Sequence, residues 1–170
     1  WRPADLVETA VAWNEAVKSK ETPTCLIFSR QGTSAISRTE GQLSLINKGG
    51  YLIDESDNSD ITLIASGSEV QLVIDAAKEL KNDSISANVV SMPSLDIFLQ
   101  QSEEFQSSII NPDKPILVVE CSHPNSWYRI LNRKDKVIGI ESFGESAPGS
   151  ELLEHLVLIL KMLLIQLNHY

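Results

Sequence analysis

The chain is poor in the features that would assign it quickly. Among 170 residues it has two cysteines, Cys25 and Cys121, far apart in sequence. That is neither a disulfide framework nor a zinc pattern, and it suits a reducing compartment. It has no block of lysine and arginine. Fourteen basic residues stand against twenty-three acidic ones, a net charge of −9, which argues against nucleic acid or an anionic membrane as partner. It shows no signal-peptide pattern. It has no initiator methionine and opens at Trp1, as if inside an element, so we expect a fragment. Aromatics make up only 6%, yet 42% of residues are hydrophobic and 22% charged, the balance of an ordinary globular domain rather than a disordered chain.

The nucleotide-binding fingerprints are missing too. Ser66-Gly67-Ser68-Glu69 falls where a strand turns into a helix, the place for a phosphate in a doubly wound fold. The G-x-G-x-x-G pattern is absent, however, and Glu69 brings a carboxylate to the anion's position. Its simpler role is to complement the helix dipole. Gly139 to Ser146 imitates the spacing of a P-loop, but Glu145 stands where that motif needs lysine. Cys121-Ser122-His123 offers too few ligands for a metal, with no second cluster to complete it; His155 and His169 lie in an odd tail. Glu103-Glu104 reads as a solvated helix face, and Trp127-Tyr128 as packing.

The elements themselves are legible. Asp5 and Glu8 resemble a capping box, and Leu6, Val7, Ala10 and Val11 fall on one helical face. Thr24 to Ser29 reads as a buried strand closed by Arg30-Gln31. Residues 32–47 are polar, without a period, and read as a linker. Five strands then alternate with helices: Tyr51–Ile53, Ile61–Ala65, Ala87–Met92, Ile116–Glu120 and Val137–Ile140. Helices are expected near Glu69–Leu80, Glu103–Ile109 and Ser126–Leu131, with a last one from about Gly149-Ser150. The alternation predicts an α/β fold of three layers, α/β/α, around a mostly parallel sheet. Arg30, at the carboxyl end of an apolar strand, is the residue with a ligand-binding chemistry: a guanidinium there can grip a phosphate with two hydrogen bonds. Exposed arginines are also common at strand ends, so the residues alone leave both readings open.

Several ordered stretches resemble one family, the transketolases, in their C-terminal third: Arg2–Trp13 (RPADLVETAVAW), Pro23–Gln31 (PTCLIFSRQ), Gly49–Ile53 (GGYLI), Ile64–Leu72 (IASGSEVQL), Val89–Ser94 (VVSMPS), Trp127-Tyr128 and Phe143–Pro148 (FGESAP). The resemblance implies that residues 1–31 are a helix and strand from the end of a pyrimidine-binding domain. It makes 32–47 a linker and 48–155 the C-terminal domain, with a five-stranded mixed sheet whose first strand is antiparallel. It implies transfer of a two-carbon ketol unit from a ketose phosphate to an aldose phosphate. The cofactors would be thiamine diphosphate and a divalent metal (Mg or Ca), in a cytoplasmic homodimer. One role carries over: Arg30, the arginine of S-R-Q, would bind the substrate phosphate. No catalytic, cofactor-binding or metal-binding residue is expected in this chain, because the G-D-G…N segment, the activating Glu and the active-site His residues of the family do not occur in it. The fragment alone is therefore expected to be inactive. Two alternatives stand beside this reading: a piece of a deoxyxylulose-phosphate synthase or oxoacid dehydrogenase β chain, and a noncatalytic interaction module.

Residues 156–170 depart from the family. They are apolar nearly all round, unlike a terminal surface helix, and too interrupted for a membrane span. One back-translation of His155–Tyr170 with a single T inserted after the first codon reads HFGFNIENVINTIKSL, which resembles the family's tail. The tail is therefore expected to be a frameshift product.

Overall fold

The computed structural model describes residues 1–143 and residue 151. Five strands, Tyr51–Asp54 (β1), Ile61–Ala65 (β2), Ala87–Ser91 (β3), Ile116–Val119 (β4) and Lys136–Ile138 (β5), form one sheet in the order β1-β3-β2-β4-β5. β1 runs antiparallel to β3, with Tyr51 opposite Ser91; the other neighbours are parallel. The central strands are apolar on both faces because both are covered. Leu63, Ala65, Leu117 and Val119 belong to one core, completed by Val70, Val73, Ala77 and Leu80 of the helix Glu69–Asn82 (α3). Their strand neighbours Ile64, Ile116 and Val118 point the other way, as the two-residue period of a strand requires. They meet Met92, Phe98, Ile109 and Trp127 in a second core. Phe98 and Ile109 come from two short helices, Leu95–Phe98 (α4) and Glu103–Ile109 (α5). This is the mixed three-layer architecture expected from the sequence.

The helix Leu6–Lys18 (α1) starts at the expected cap: Asp5 Oδ1 accepts the Glu8 N–H at 3.1 Å. The reciprocal bond is displaced by one residue, Glu8 Oε2 accepting the Ala4 N–H at 2.7 Å. Ala4 itself lies in the α3-side core.

Three expectations need correction. Among the described residues Thr24–Ser29 joins no sheet; it is tied to Trp1, whose N donates to Cys25 O at 2.7 Å and whose O accepts the Ile27 N–H at 2.9 Å. Those two bonds flank Leu26, as in a parallel ladder. Apolar composition made the segment look like a strand, but no ladder of described strands stands beside it. Second, residues 32–47 are not featureless. They hold the helix Glu40–Leu45 (α2), opened by a capping box between Thr39 and Gln42, and a 3₁₀ turn over Ile46–Lys48. The Gln42 amide also donates to Leu52 O and Ile53 O, both at 2.9 Å. Third, the helix expected at Ser126–Leu131 is a 3₁₀ turn over Pro124–Arg129. The helix expected from Gly149-Ser150, most of the Phe143–Pro148 stretch and the tail 156–170 lie outside the described residues.

Candidate functional site

The strand order reverses at β2. Its successor β3 lies on one side and β4 on the other, so a crevice opens between the carboxyl ends of β2 and β4. In open α/β sheets that is the ligand's place. Its walls are Ser66-Gly67-Ser68 leading into α3, and Glu120-Cys121-Ser122 after β4.

Arg2 fills it. The backbone of Arg2 is pinned first, its N–H donating to Pro93 O at 2.7 Å and its O accepting the Gly67 N–H at 2.9 Å. The guanidinium Nη1 then donates to Ser66 O at 2.7 Å and Ser66 Oγ at 3.1 Å, pairs with Glu120 Oε1 at 2.8 Å, and pairs closely with Glu69 Oε2. Gly67 has φ of 58°, and a Cβ there would fall 2.9 Å from Arg2 Cζ. Glycine is needed twice over at this position, for the left-handed backbone and for the close approach. Burial opposes the Arg2 charge, but Glu69 and Glu120 outweigh it and raise its pKa. Burial pushes the Glu120 carboxyl up against the opposing pull of Arg2. The Cys121 thiol rises for the same reason, burial first and then Glu69. Beside Arg2 a cavity of about 220 Å³ continues past Ile27, Ser122, Trp127 and Arg129.

A second polar network lies under α1. Arg38, with its side chain 1% exposed, donates to Asp5 Oδ2 at 2.6 Å, Ile36 O at 2.8 Å, Tyr51 Oη at 2.6 Å and Glu8 Oε1 at 3.2 Å. Glu8 Oε1 also accepts from the hydroxyls of Tyr51 and Ser91, each at 2.6 Å. Burial would raise Asp5, yet Arg38 and the N–H groups of Ile36 and Glu8 hold its carboxyl below the ordinary range. Burial and Glu8 push the Tyr51 phenol well up, so it is a donor at any ordinary pH. Every one of these charges is answered by another, which is the chemistry of a structural tie rather than of proton transfer.

The sequence candidates fall elsewhere. Arg30 lies exposed on a bend just past the Thr24–Ser29 segment, with no hydrogen-bond or ion-pair partner among the described residues. His123 accepts the Asn125 N–H at 3.3 Å and caps the 3₁₀ turn. Trp127 is buried in the second core, Tyr128 is exposed, and Glu103 with Glu104 occupy the exposed first turn of α5. Glu69 does open α3, as read, but its carboxylate also answers Arg2. Sequence reasoning missed Arg2, Arg38 and Glu120, because no local pattern marks partners this distant. On α1 and the Thr24–Ser29 segment, Leu6, Trp13, Val17, Ile27 and Phe28 are exposed, Trp13 at 54%, with Trp13 stacked on Phe28 at 6.4 Å between ring centroids.

Fold and crevice define a doubly wound α/β domain whose ligand edge is closed by its own chain. The family model described as the transketolase-like TK C-terminal domain matches residues 49–158. Transketolase 1 of Vibrio parahaemolyticus is 41% identical over 156 residues, covering 91% of this chain and 24% of that protein. Transketolase 2 of Escherichia coli K12 is 40% identical over 154 residues, covering 89% and 23%. The structure of Pichia stipitis transketolase in complex with sedoheptulose-7-phosphate superposes with a TM-score of 0.85 at 35% identity, covering 92% of this chain and 22% of that one. The chain belongs to the transketolase family, and it spans about a quarter of the length of the curated relatives it matches.

Proposed function

We propose that this chain is the C-terminal part of an enzyme that transfers a two-carbon ketol unit between sugar phosphates, and that Arg30 holds the substrate phosphate in the assembled enzyme. Residues 1–31 are then the end of the pyrimidine-binding domain, 32–47 the connection and 48–155 the C-terminal domain. The parent is a cytoplasmic homodimer, a reading that rests on the family alone. The observation that carries the assignment is the 41% identity to a transketolase across nearly the whole chain. Two features agree with it. The exposed apolar face of α1 and the Thr24–Ser29 segment is of the kind that further domains cover. Arg30 is charged, exposed and without a partner among described residues, as an anion-binding arginine is before its ligand arrives.

Thiamine diphosphate and its divalent metal belong to the parent. Among the described residues, no group of three His, Cys, Asp or Glu side chains could hold a metal. The crevice that would suit a diphosphate presents Glu69 and Glu120 and is filled by Arg2. These residues do not fit the cofactor. The chain alone is accordingly inactive in this reading. What it contributes is Arg30: gripping the phosphate at one end of the sugar fixes where the carbonyl at the other end can lie.

A chimera tests this. Residues 1–155 replace the matching stretch of the Vibrio parahaemolyticus enzyme, and ketol transfer is measured with phosphorylated and unphosphorylated acceptors. The chimera is active and the isolated chain is not. Arg30→Ala raises KM for the phosphorylated acceptor about 10- to 100-fold, the size of a lost charge-assisted hydrogen-bond pair, and leaves the unphosphorylated one unchanged. An active chimera whose KM ignores Arg30→Ala removes the residue's role; a folded but inactive chimera removes the assignment.

A further inference from the structure

The crevice between β2 and β4 has the construction of a binding site, and its occupant is visible. Every polar group that meets the Arg2 guanidinium is an acceptor: Ser66 O, Ser66 Oγ, Glu69 Oε2 and Glu120 Oε1. Both carboxylates are buried, Glu69 completely. Each is braced by a second bond. The Ser68 hydroxyl donates to Glu69 Oε1 at 2.7 Å; the Ser66 hydroxyl donates to Glu120 Oε2 at 2.8 Å, and the Ser122 N–H to its Oε1 at 3.2 Å. Two buried carboxylates held around one point repel each other and require a cation. A phosphate is excluded from this place by the same charges. All four acceptors meet one nitrogen, Nη1; what suits the flat guanidinium is Gly67, where a Cβ would fall 2.9 Å from Arg2 Cζ and so cover the face of the group.

We propose that the carboxyl-edge crevice of this domain is a guanidinium-binding site, formed by Glu69, Glu120 and Ser66, whose resident ligand is Arg2 of the same chain. The domain thus uses its ligand position to clamp the segment that leads into α1. The inference does not depend on the reaction assigned above.

The test opens the site and offers it the untethered ligand. In the 170-residue chain, Arg2→Ala lowers Tm. Guanidinium chloride at 20 mM, far below denaturing concentrations, restores about 3 °C of it relative to 20 mM sodium chloride. Wild type shows no such gain, and adding Glu120→Gln to Arg2→Ala abolishes it. An equal response to sodium chloride, an equal response in wild type, or no response overturns the proposal. A second measurement does not need Arg2→Ala to fold. In Glu120→Gln, amide exchange of Gly67, whose N–H is bonded to Arg2 O, accelerates at least about tenfold, while Ile64 in the central strand keeps its protection. Unchanged exchange at Gly67 means the crevice does not hold the segment, and the proposal fails.

Discussion

Arg38→Ala is the substitution with the largest consequence. The wild-type guanidinium serves four oxygens, those of Asp5, Ile36, Tyr51 and Glu8, from a position with almost no contact with water. Truncation leaves the Asp5 and Glu8 carboxylates buried, at 3% and 0% residue exposure, with no cation between them. Breaking a buried pair in this way costs about 3–5 kcal/mol, roughly a fifth or more of the stability of a typical domain. Urea unfolding at pH 7, followed by circular dichroism, should show that loss with an unchanged m value. The pH dependence is a sharper check. In wild type the Asp5 carboxyl is held below its ordinary pKa. Its stabilising share is therefore present above about pH 4, the unfolded value, and is lost as pH falls through the lowered folded value. Without Arg38, the N–H groups of Ile36 and Glu8 alone oppose burial, so the downward shift of Asp5 shrinks. The variant then loses less stability than wild type as pH falls below about 4, and the gap between the two proteins narrows there. A loss below about 1 kcal/mol, or a gap that does not change with pH, would refute the view that Arg38 neutralises buried charge.

Two further outcomes are expected. Gly67→Ala combines a left-handed backbone with a Cβ pressed on Arg2; it should cost about 1–3 kcal/mol, read by the same urea unfolding, and a neutral effect would mean that Arg2 is not seated there. Iodoacetamide at pH 8 followed by mass spectrometry should label the exposed Cys25 first and leave Cys121 largely intact, because burial and Glu69 push the Cys121 thiol up; equal labelling would contradict the closed crevice.

Much of the sheet was legible because its strands are short, apolar and β-branched, bounded by turns. Ile61–Ala65 and Glu103–Ile109 match the expected bounds, and the antiparallel first strand follows the family expectation. Segments decided by distant partners were not legible. Thr24–Ser29 has the composition of a strand, but pairing is a property of neighbours, and among the described residues its ladder-type tie is to Trp1. Both arginine networks join residues far apart in sequence, 64 positions between Arg2 and Ser66 and 83 between Glu8 and Ser91. No periodicity records such meetings. α2 was readable in principle, since Thr39 and Gln42 have the spacing of a capping box; the polar composition around them hid it. Arg30 was singled out by residue type and by its place after an apolar segment expected to be a strand; the structure adds that it is exposed.

The two bonds from Gln42 to Leu52 O and Ile53 O bear on how copies of this chain would stick together. β1 is an outer strand, and such a strand offers unpaired carbonyls to any passing chain. On this strand the Gln42 amide already occupies Leu52 O and Ile53 O. Strand-by-strand growth of a fibre from this side must first peel α2 away. Clumping of the isolated chain should therefore begin at the bare Trp13–Phe28 surface, and a mild detergent that coats that surface should prevent it without loosening the sheet.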